Sequence, residues 1–276
     1  MIATEVLIGL WRGEERIAVL DPLDRGFAYG DGLFETMRAH AGVLPWWPQH
    51  RSRLLRGATR LGIALPTDAL LEAALGKALG HFPFGIIKFV LTRGVSARGY
   101  APEIDAQPTL MVLAWSPPPL TNAPLAVDVL DLRLGVQPAL AGIKHLNRLE
   151  QVLGAREVIG RGLDEGLMAD LDGRLICGTR ANLFVCVDGR WITPSVDRAG
   201  VAGITRDLLL QVWPVLSEGE IRIDDLPDID AIFLANAVRG ILPIDRCGAR
   251  VLEPFPADLI DARAALAASH PAFRES

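Results

Sequence analysis

Lys144 lies in Ala141-Gly142-Ile143-Lys144-His145-Leu146-Asn147-Arg148-Leu149-Glu150, at the mouth of an apolar periodic stretch. Apolar neighbours strip a lysine of hydration, disfavour its ammonium form and leave an amine able to attack a carbonyl, which is Schiff-base chemistry. A lysine so placed can equally do no more than lay its stem over a helix end. Two further groups bear on anions. His50 and Arg53 share a face of one predicted helix, and a planar guanidinium offers two donors to one phosphate; with Arg51, Arg56 and Arg60 nearby, a solvated face fits the same pattern. Gly203-Ile204-Thr205-Arg206 opens another predicted helix, whose first amides and Thr205 hydroxyl face outward without intrahelical partners. That is an anion site by construction, although most helix starts take only water.

Periodicity supplies the elements that must hold these residues. Leu146, Leu149 and Leu153 predict a helix from about residue 146 with one face buried. Residues 47–63 read as a helix with Pro48 at its start and Leu54, Leu55, Ala58 and Leu61 inward. Residues 67–81 read as a second helix, capped by Thr67. The run 85–91 reads as a buried strand, residues 6–10 and 16–20 as strands around a turn at Gly13, and 34–39 as a further strand. Residues 24–32 form a glycine-punctuated loop. Asp172-Gly173 and Asp188-Gly189 mark hairpin turns, residues 231–235 and 241–244 strands, and 257–268 a closing helix.

With 276 residues, half of them hydrophobic, the chain can bury a sizeable core as one large or two ordinary domains. The stiff stretch Ser116-Pro117-Pro118-Pro119, continuing to Pro124, sets the expected boundary: domain one at 1–115, a linker at 116–124 and domain two at 125–276. The net charge of −5 is mild and the arginines are scattered, which gives no footprint for nucleic acid or an anionic membrane and leaves a small molecule as the expected partner. Three widely spaced cysteines without a CxxC pair indicate neither a disulfide framework nor a metal site. The opening residues show no basic stretch followed by an apolar core, and no apolar run is long enough to span a bilayer. A cytoplasmic protein is expected.

Six motifs occur in order along nearly the whole chain: Asp24-Arg25-Gly26 with Tyr29-Gly30-Asp31-Gly32-Leu33-Phe34-Glu35; His50 with Arg53-Leu54; Arg93-Gly94 with Arg98-Gly99-Tyr100; Lys144 with Leu146-Asn147; Asn182-Leu183-Phe184; and Gly203-Ile204-Thr205-Arg206. The set resembles the fold-type IV pyridoxal-phosphate enzymes, which include branched-chain aminotransferases, D-amino-acid aminotransferases and aminodeoxychorismate lyases. The wording from Gly142 to Leu153, and Arg98-Gly99-Tyr100, look like the lyase version.

The resemblance implies a two-domain α/β (α+β) fold, with a smaller α/β N-terminal domain, a larger C-terminal domain built on an antiparallel barrel-like sheet, and pyridoxal phosphate in the cleft between them. It implies that Lys144 is the Schiff-base lysine, that Arg53, Gly203, Ile204 and Thr205 hold the phosphate, and that His50 supports that end. Asn236 and Ala237 stand where some relatives carry hydroxyl residues near the phosphate. Arg98 and Tyr100 match substrate-carboxylate positions, Tyr29 and Phe34 are expected to line the substrate site, and Glu35 is expected to hold or tune Lys144. Cys177 falls where many relatives place a glutamate that keeps the pyridine nitrogen protonated. A lyase that gains an aromatic ring depends less on that electron sink than an aminotransferase does. The implied reaction is therefore conversion of 4-amino-4-deoxychorismate to 4-aminobenzoate and pyruvate, by a homodimer. The alternatives are an aminotransferase of the same family or a ligand-binding relative without catalysis.

Overall fold

The computed structural model describes residues 5–274; residues 1–4, part of the opening stretch weighed above for a targeting signal, lie outside the described residues. The chain divides into two compact units. One comprises the chain up to Pro118 together with Ile143–Asn147, the other Pro119–Gly142 together with the chain from Arg148 onward.

The first unit is a five-stranded antiparallel sheet covered on one face by helices. Its strands are β1 (Val6–Arg12), β2 (Glu15–Arg16), β3 (Gly32–Arg38), β4 (Ile86–Thr92) and β5 (Thr109–Trp115), in the order β2-β1-β5-β4-β3. The strand expected over 16–20 shortens to the β2 pair, and the loop expected over 24–32 contains a one-turn helix, α1 (Arg25–Tyr29). Asp24 caps it by accepting from the Gly26 amide, and Gly30 ends it at φ 65°. Helix α2 (Trp47–Leu61) has Pro48 in its first turn, and α3 (Asp68–His81) starts at Thr67, whose hydroxyl accepts from the Leu70 amide. Alternation along the strands sends Met37, Ile87, Phe89, Val112 and Ala114 toward Leu71, Ala74, Leu75 and Ala78 of α3. A second cluster joins Leu33 and Leu91 to Leu54 and Ala58 of α2 and to Ile143. Ile143 is almost fully buried there, a placement that contributes about 1.5–3 kcal/mol.

The second unit is built on a nine-stranded sheet. Strands β6 (Leu125–Leu134), β7 (Glu165–Asp170), β8 (Leu175–Gly178), β9 (Asn182–Val187), β12 (Ala231–Asn236) and β13 (Gly240–Cys247) close into a barrel-like ring, because β8 pairs back onto β9. Strands β10 (Arg190–Pro194) and β11 (Leu216–Gly219) extend the sheet from β9, and β14 (Arg250–Val251) pairs with β13. Most pairings are antiparallel; β6 with β7, β13 with β6 and β10 with β11 are parallel. Helix α4 (Leu149–Gly160) spans the crossover from β6 to β7, α5 (Ile204–Val212) that from β10 to β11, and α6 (Leu259–Ser269) lies near the end of the chain.

The helix expected from residue 146 begins only at Leu149, and its buried face is not the predicted one. Leu149, Val152, Leu153 and Ile159 are exposed, while Gly154 and Val158 are buried. The reason is tertiary. The Leu146 amide is spent on the Gly32 carbonyl (2.9 Å), and Gly154 has no side chain to hold off Leu130 and Met168.

Candidate active site

Lys144 is positioned by main-chain pairing with the edge strand β3. The Phe34 amide donates to the Lys144 carbonyl (3.0 Å), the Leu146 amide to the Gly32 carbonyl (2.9 Å), and Leu33 and His145 form an antiparallel bridge between them. Asn147 Nδ2 adds a bond to the Gly30 carbonyl (3.0 Å). Gly32 is required at this approach, because a Cβ there would lie 2.5 Å from the Leu91 carbonyl and 2.7 Å from Leu146 Cδ1. Held in this way, Lys144 places its Nζ 4.3 Å from the centroid of the Phe34 ring.

The next residue along β3, Glu35, faces the side covered by α2 and is buried there with His50 and Arg53. Its Oε1 accepts from Arg53 Nε (2.8 Å), and its Oε2 accepts from Arg53 NH2 (2.5 Å) and meets His50 Nδ1 (2.6 Å). Burial opposes the charge on Glu35, but the Arg53 guanidinium outweighs it and holds the carboxyl at about 2. Burial also pushes the His50 pKa down, with Arg53 and Lys144 adding to that push, so the ring stays neutral at pH 7 and donates from Nδ1. The carboxylate expected to serve Lys144 thus braces a histidine and an arginine.

Arg98 and Tyr100 are exposed, in a loop whose backbone is pinned by Arg25, a motif residue with no role expected from the sequence. Arg25 is buried; its guanidinium donates to the carbonyls of Gly99 (2.9 Å) and Tyr100 (2.8 Å), to Ser96 Oγ (3.3 Å) and to Asp31 Oδ2 (2.9 Å). Asp31 also accepts from Arg93, which reaches the carbonyls of Leu61 and Gly62 at the end of α2. The Tyr29 ring stacks at a tilt on Tyr100 with centroids 5.6 Å apart and lies under Arg25. A charged residue next to glycine in Asp24-Arg25-Gly26 was the available signal.

In the second unit Cys177 is the cross-strand partner of Asn182 where β8 meets β9. Burial pushes its thiol up to about 12, against the pull of Arg148, so it is neutral. Arg148 is itself lowered by burial. Glu165, also buried, ties down the intervening turn through the Thr179 amide (3.1 Å) and hydroxyl and through Arg180 Nε (2.9 Å). Asn182 Nδ2 donates to the Val201 carbonyl (2.9 Å), and its Oδ1 occupies the place a Cβ on Gly203 would need. Gly203 therefore starts α5 with no side-chain cap. Thr205 is completely buried rather than outward, and its Oγ1 has no hydrogen-bond partner among the described residues. Asn236 Oδ1 accepts from the Val238 and Arg239 amides and its Nδ2 reaches the Arg180 carbonyl (3.3 Å), so its amide group organises the turn that contains Ala237.

In the second unit an orphaned buried hydroxyl at an uncapped helix start suits a phosphate; in the first unit the braced guanidinium suits an anion and the lysine amine suits a carbonyl. Among the described residues no cluster of side chains could hold a metal ion, and no helix is long and apolar enough to cross a membrane.

Comparison with known proteins agrees with this chemistry. The family model described as amino-transferase class IV matches residues 32–247. An aminodeoxychorismate lyase of Vibrio harveyi is 33% identical over 237 residues, which covers 80% of this chain and 84% of the relative. A putative branched-chain-amino-acid aminotransferase of Methanocaldococcus jannaschii is 30% identical over 251 residues, covering 87% and 86%. The crystal structure of 4-amino-4-deoxychorismate lyase from Pseudomonas aeruginosa matches with a TM-score of 0.81 at 35% identity, covering 94% of this chain and 98% of that one.

Proposed function

This chain belongs to the amino-transferase class IV family, and we propose that it acts there as a pyridoxal-phosphate-dependent lyase converting 4-amino-4-deoxychorismate to 4-aminobenzoate and pyruvate, a step of folate synthesis. The observation that carries the proposal is the Lys144 amine, held over Phe34 by backbone bonds to β3. The likeness to two lyases, each over most of the chain, supports the choice among family activities.

Pyridoxal phosphate, when bound, supplies the sink for the electron pair left as the substrate loses its C4 proton. Arg53, Ile204 and Thr205 would hold its phosphate and Lys144 its reactive end. Lys144, as general base, removes the C4 proton, and the same amine returns a proton to the enolpyruvyl oxygen as the C3–O bond breaks. The ring becomes aromatic, and the enol that leaves becomes pyruvate. Arg98 and Tyr100 would take a substrate carboxylate, with Tyr29 and Phe34 as walls. The neutral Cys177 suits a reaction driven by aromatisation better than transamination. We also assign the protein to the cytoplasm as a homodimer, for which the exposed apolar row Leu149, Val152, Leu153 and Ile159 is the support.

The test is 4-aminobenzoate formation from enzymatically generated 4-amino-4-deoxychorismate, comparing the native chain with Lys144→Ala. Product from the native chain alone is the expected result. No product from a protein that still carries the cofactor would sink the lyase and turn the search to amino donors.

A further inference from the structure

The apolar run of β4 is interrupted by one charge, Lys88, among the buried residues Ile86, Ile87, Phe89 and Leu91. Lys88 is the cross-strand partner of Thr36, and Val90 is that of Phe34. Phe34, Thr36, Arg38 and Lys88 therefore share one face of the sheet, opposite the face covered by α3. Lys88 Nζ lies 5.6 Å from the centroid of the Phe34 ring that also carries Lys144, so the two amines cannot be farther apart than the sum of their distances to it. Lys88 is half-buried and has no carboxylate partner among the described residues. Arg38 stands one pair further along β3, its NH1 3.5 Å from the Pro118 carbonyl, and burial lowers its pKa.

A cation kept on an aromatic, partly desolvated face without an acid beside it is a site for an anion. The substrate proposed above carries two carboxylates, one on the ring and one on the enolpyruvyl group, and Arg98 with Tyr100 accounts for one of them. We propose that Lys88, flanked by Arg38, forms a second carboxylate subsite and that it, together with the Arg98 loop, selects a dianionic substrate. The proposal rests on the lyase reading. Lys88 binds and orients the substrate, while Lys144 alone moves the proton.

The test uses holoprotein and chorismate, which has both carboxylates but a hydroxyl in place of the reacting amine, so its binding is independent of turnover. Calorimetry on Lys88→Met, a substitution of similar length and shape, should give a dissociation constant roughly ten- to a hundredfold above native, as for loss of a bond to a charged group. Lys88→Arg should stay within a few-fold of native. The near-visible cofactor absorption should be retained in both variants. In turnover, KM for the aminodeoxychorismate should rise far more than kcat falls. Chorismate binding to Lys88→Met as tight as native, or loss of the cofactor absorption in that variant, would overturn the subsite. A native holoprotein that binds no chorismate overturns the subsite alone, the lyase being judged by 4-aminobenzoate formation. One that binds chorismate but forms no 4-aminobenzoate overturns the activity alone and leaves Lys88 to be judged by its variants.

Discussion

Arg53 meets Glu35 edge to edge, Nε at 2.8 Å from one carboxylate oxygen and NH2 at 2.5 Å from the other, with both side chains buried. The paired bonds fix the plane of the guanidinium, which an arginine meant to receive a phosphate needs fixed in advance. His50 closes the arrangement from the other side of the carboxylate.

Acid should dismantle this group. Glu35 drops from its ordinary 4.5 to about 2, so its contribution is complete above 4.5 and is lost as pH falls from 4.5 toward 2; it amounts to about 3 kcal/mol. His50 is lowered from 6.5, so it too favours the folded protein above that value and less below it. Glu35→Gln should destabilise by about 3–5 kcal/mol, because it leaves the buried Arg53 charge uncompensated, and it should flatten the acid side of the stability profile. Urea unfolding followed from pH 7 down to about pH 2 checks both. A variant with the native slope would show that the carboxylate is not what acid attacks.

Replacing Lys144 by Ala should cost at least about a thousandfold in turnover and remove any near-visible absorption that borohydride bleaches. Phe34→Leu should keep that absorption and slow turnover by about two- to thirtyfold, the scale of a lost cation–π contact of about 0.5–2 kcal/mol. Absorption spectra before and after borohydride, with single-turnover rates, separate the two roles.

How far these residues could be read in the sequence differed with the range of the interaction that places them. α2 and α3 follow from caps and from apolar residues at helical spacing, signals carried within a few turns. The start of α4 is not legible in the sequence, because Leu146 has the spacing of a helical residue but is held by a backbone bond to Gly32, more than a hundred positions earlier. The pairing of Glu35 with Arg53 and His50 is hidden in the sequence for a related reason. Strand alternation separates Glu35 from Phe34, and which face α2 covers is a tertiary fact. Arg25 lies inside the Asp24-Arg25-Gly26 motif, but its carbonyl partners at Gly99 and Tyr100 are visible only in the fold.

Thr205→Val keeps the size of a fully buried side chain and removes only the hydroxyl that lacks a partner among the described residues. The apoprotein should be as stable as native or slightly more so, since an unsatisfied buried group disappears. Affinity for pyridoxal phosphate should fall by roughly ten- to a hundredfold, the cost of one bond to a charged group. Titrating apoprotein with cofactor, alongside thermal unfolding without it, measures both. Loss of stability with unchanged affinity would assign the hydroxyl a structural role.

Cys177 invites the opposite experiment, adding a charge where the chain has none. Burial pushes the Cys177 thiol up to about 12, so it is neutral at pH 7 and should resist alkylation until the protein unfolds. Cys177→Ser should leave lyase turnover close to native, because no step assigned to this chain uses the thiol. Cys177→Glu would place a carboxylate within the field of Arg148, which favours its charge, but also of Glu150 and Glu165, which oppose it. If aromatisation makes a strong electron sink dispensable, this variant should gain transamination, read as keto-acid formation from amino donors, while its lyase rate stays near native. A lyase rate that collapses in a folded, cofactor-loaded Cys177→Glu protein would mean that the neutral thiol is required and that the link between Cys177 and the reaction is wrong.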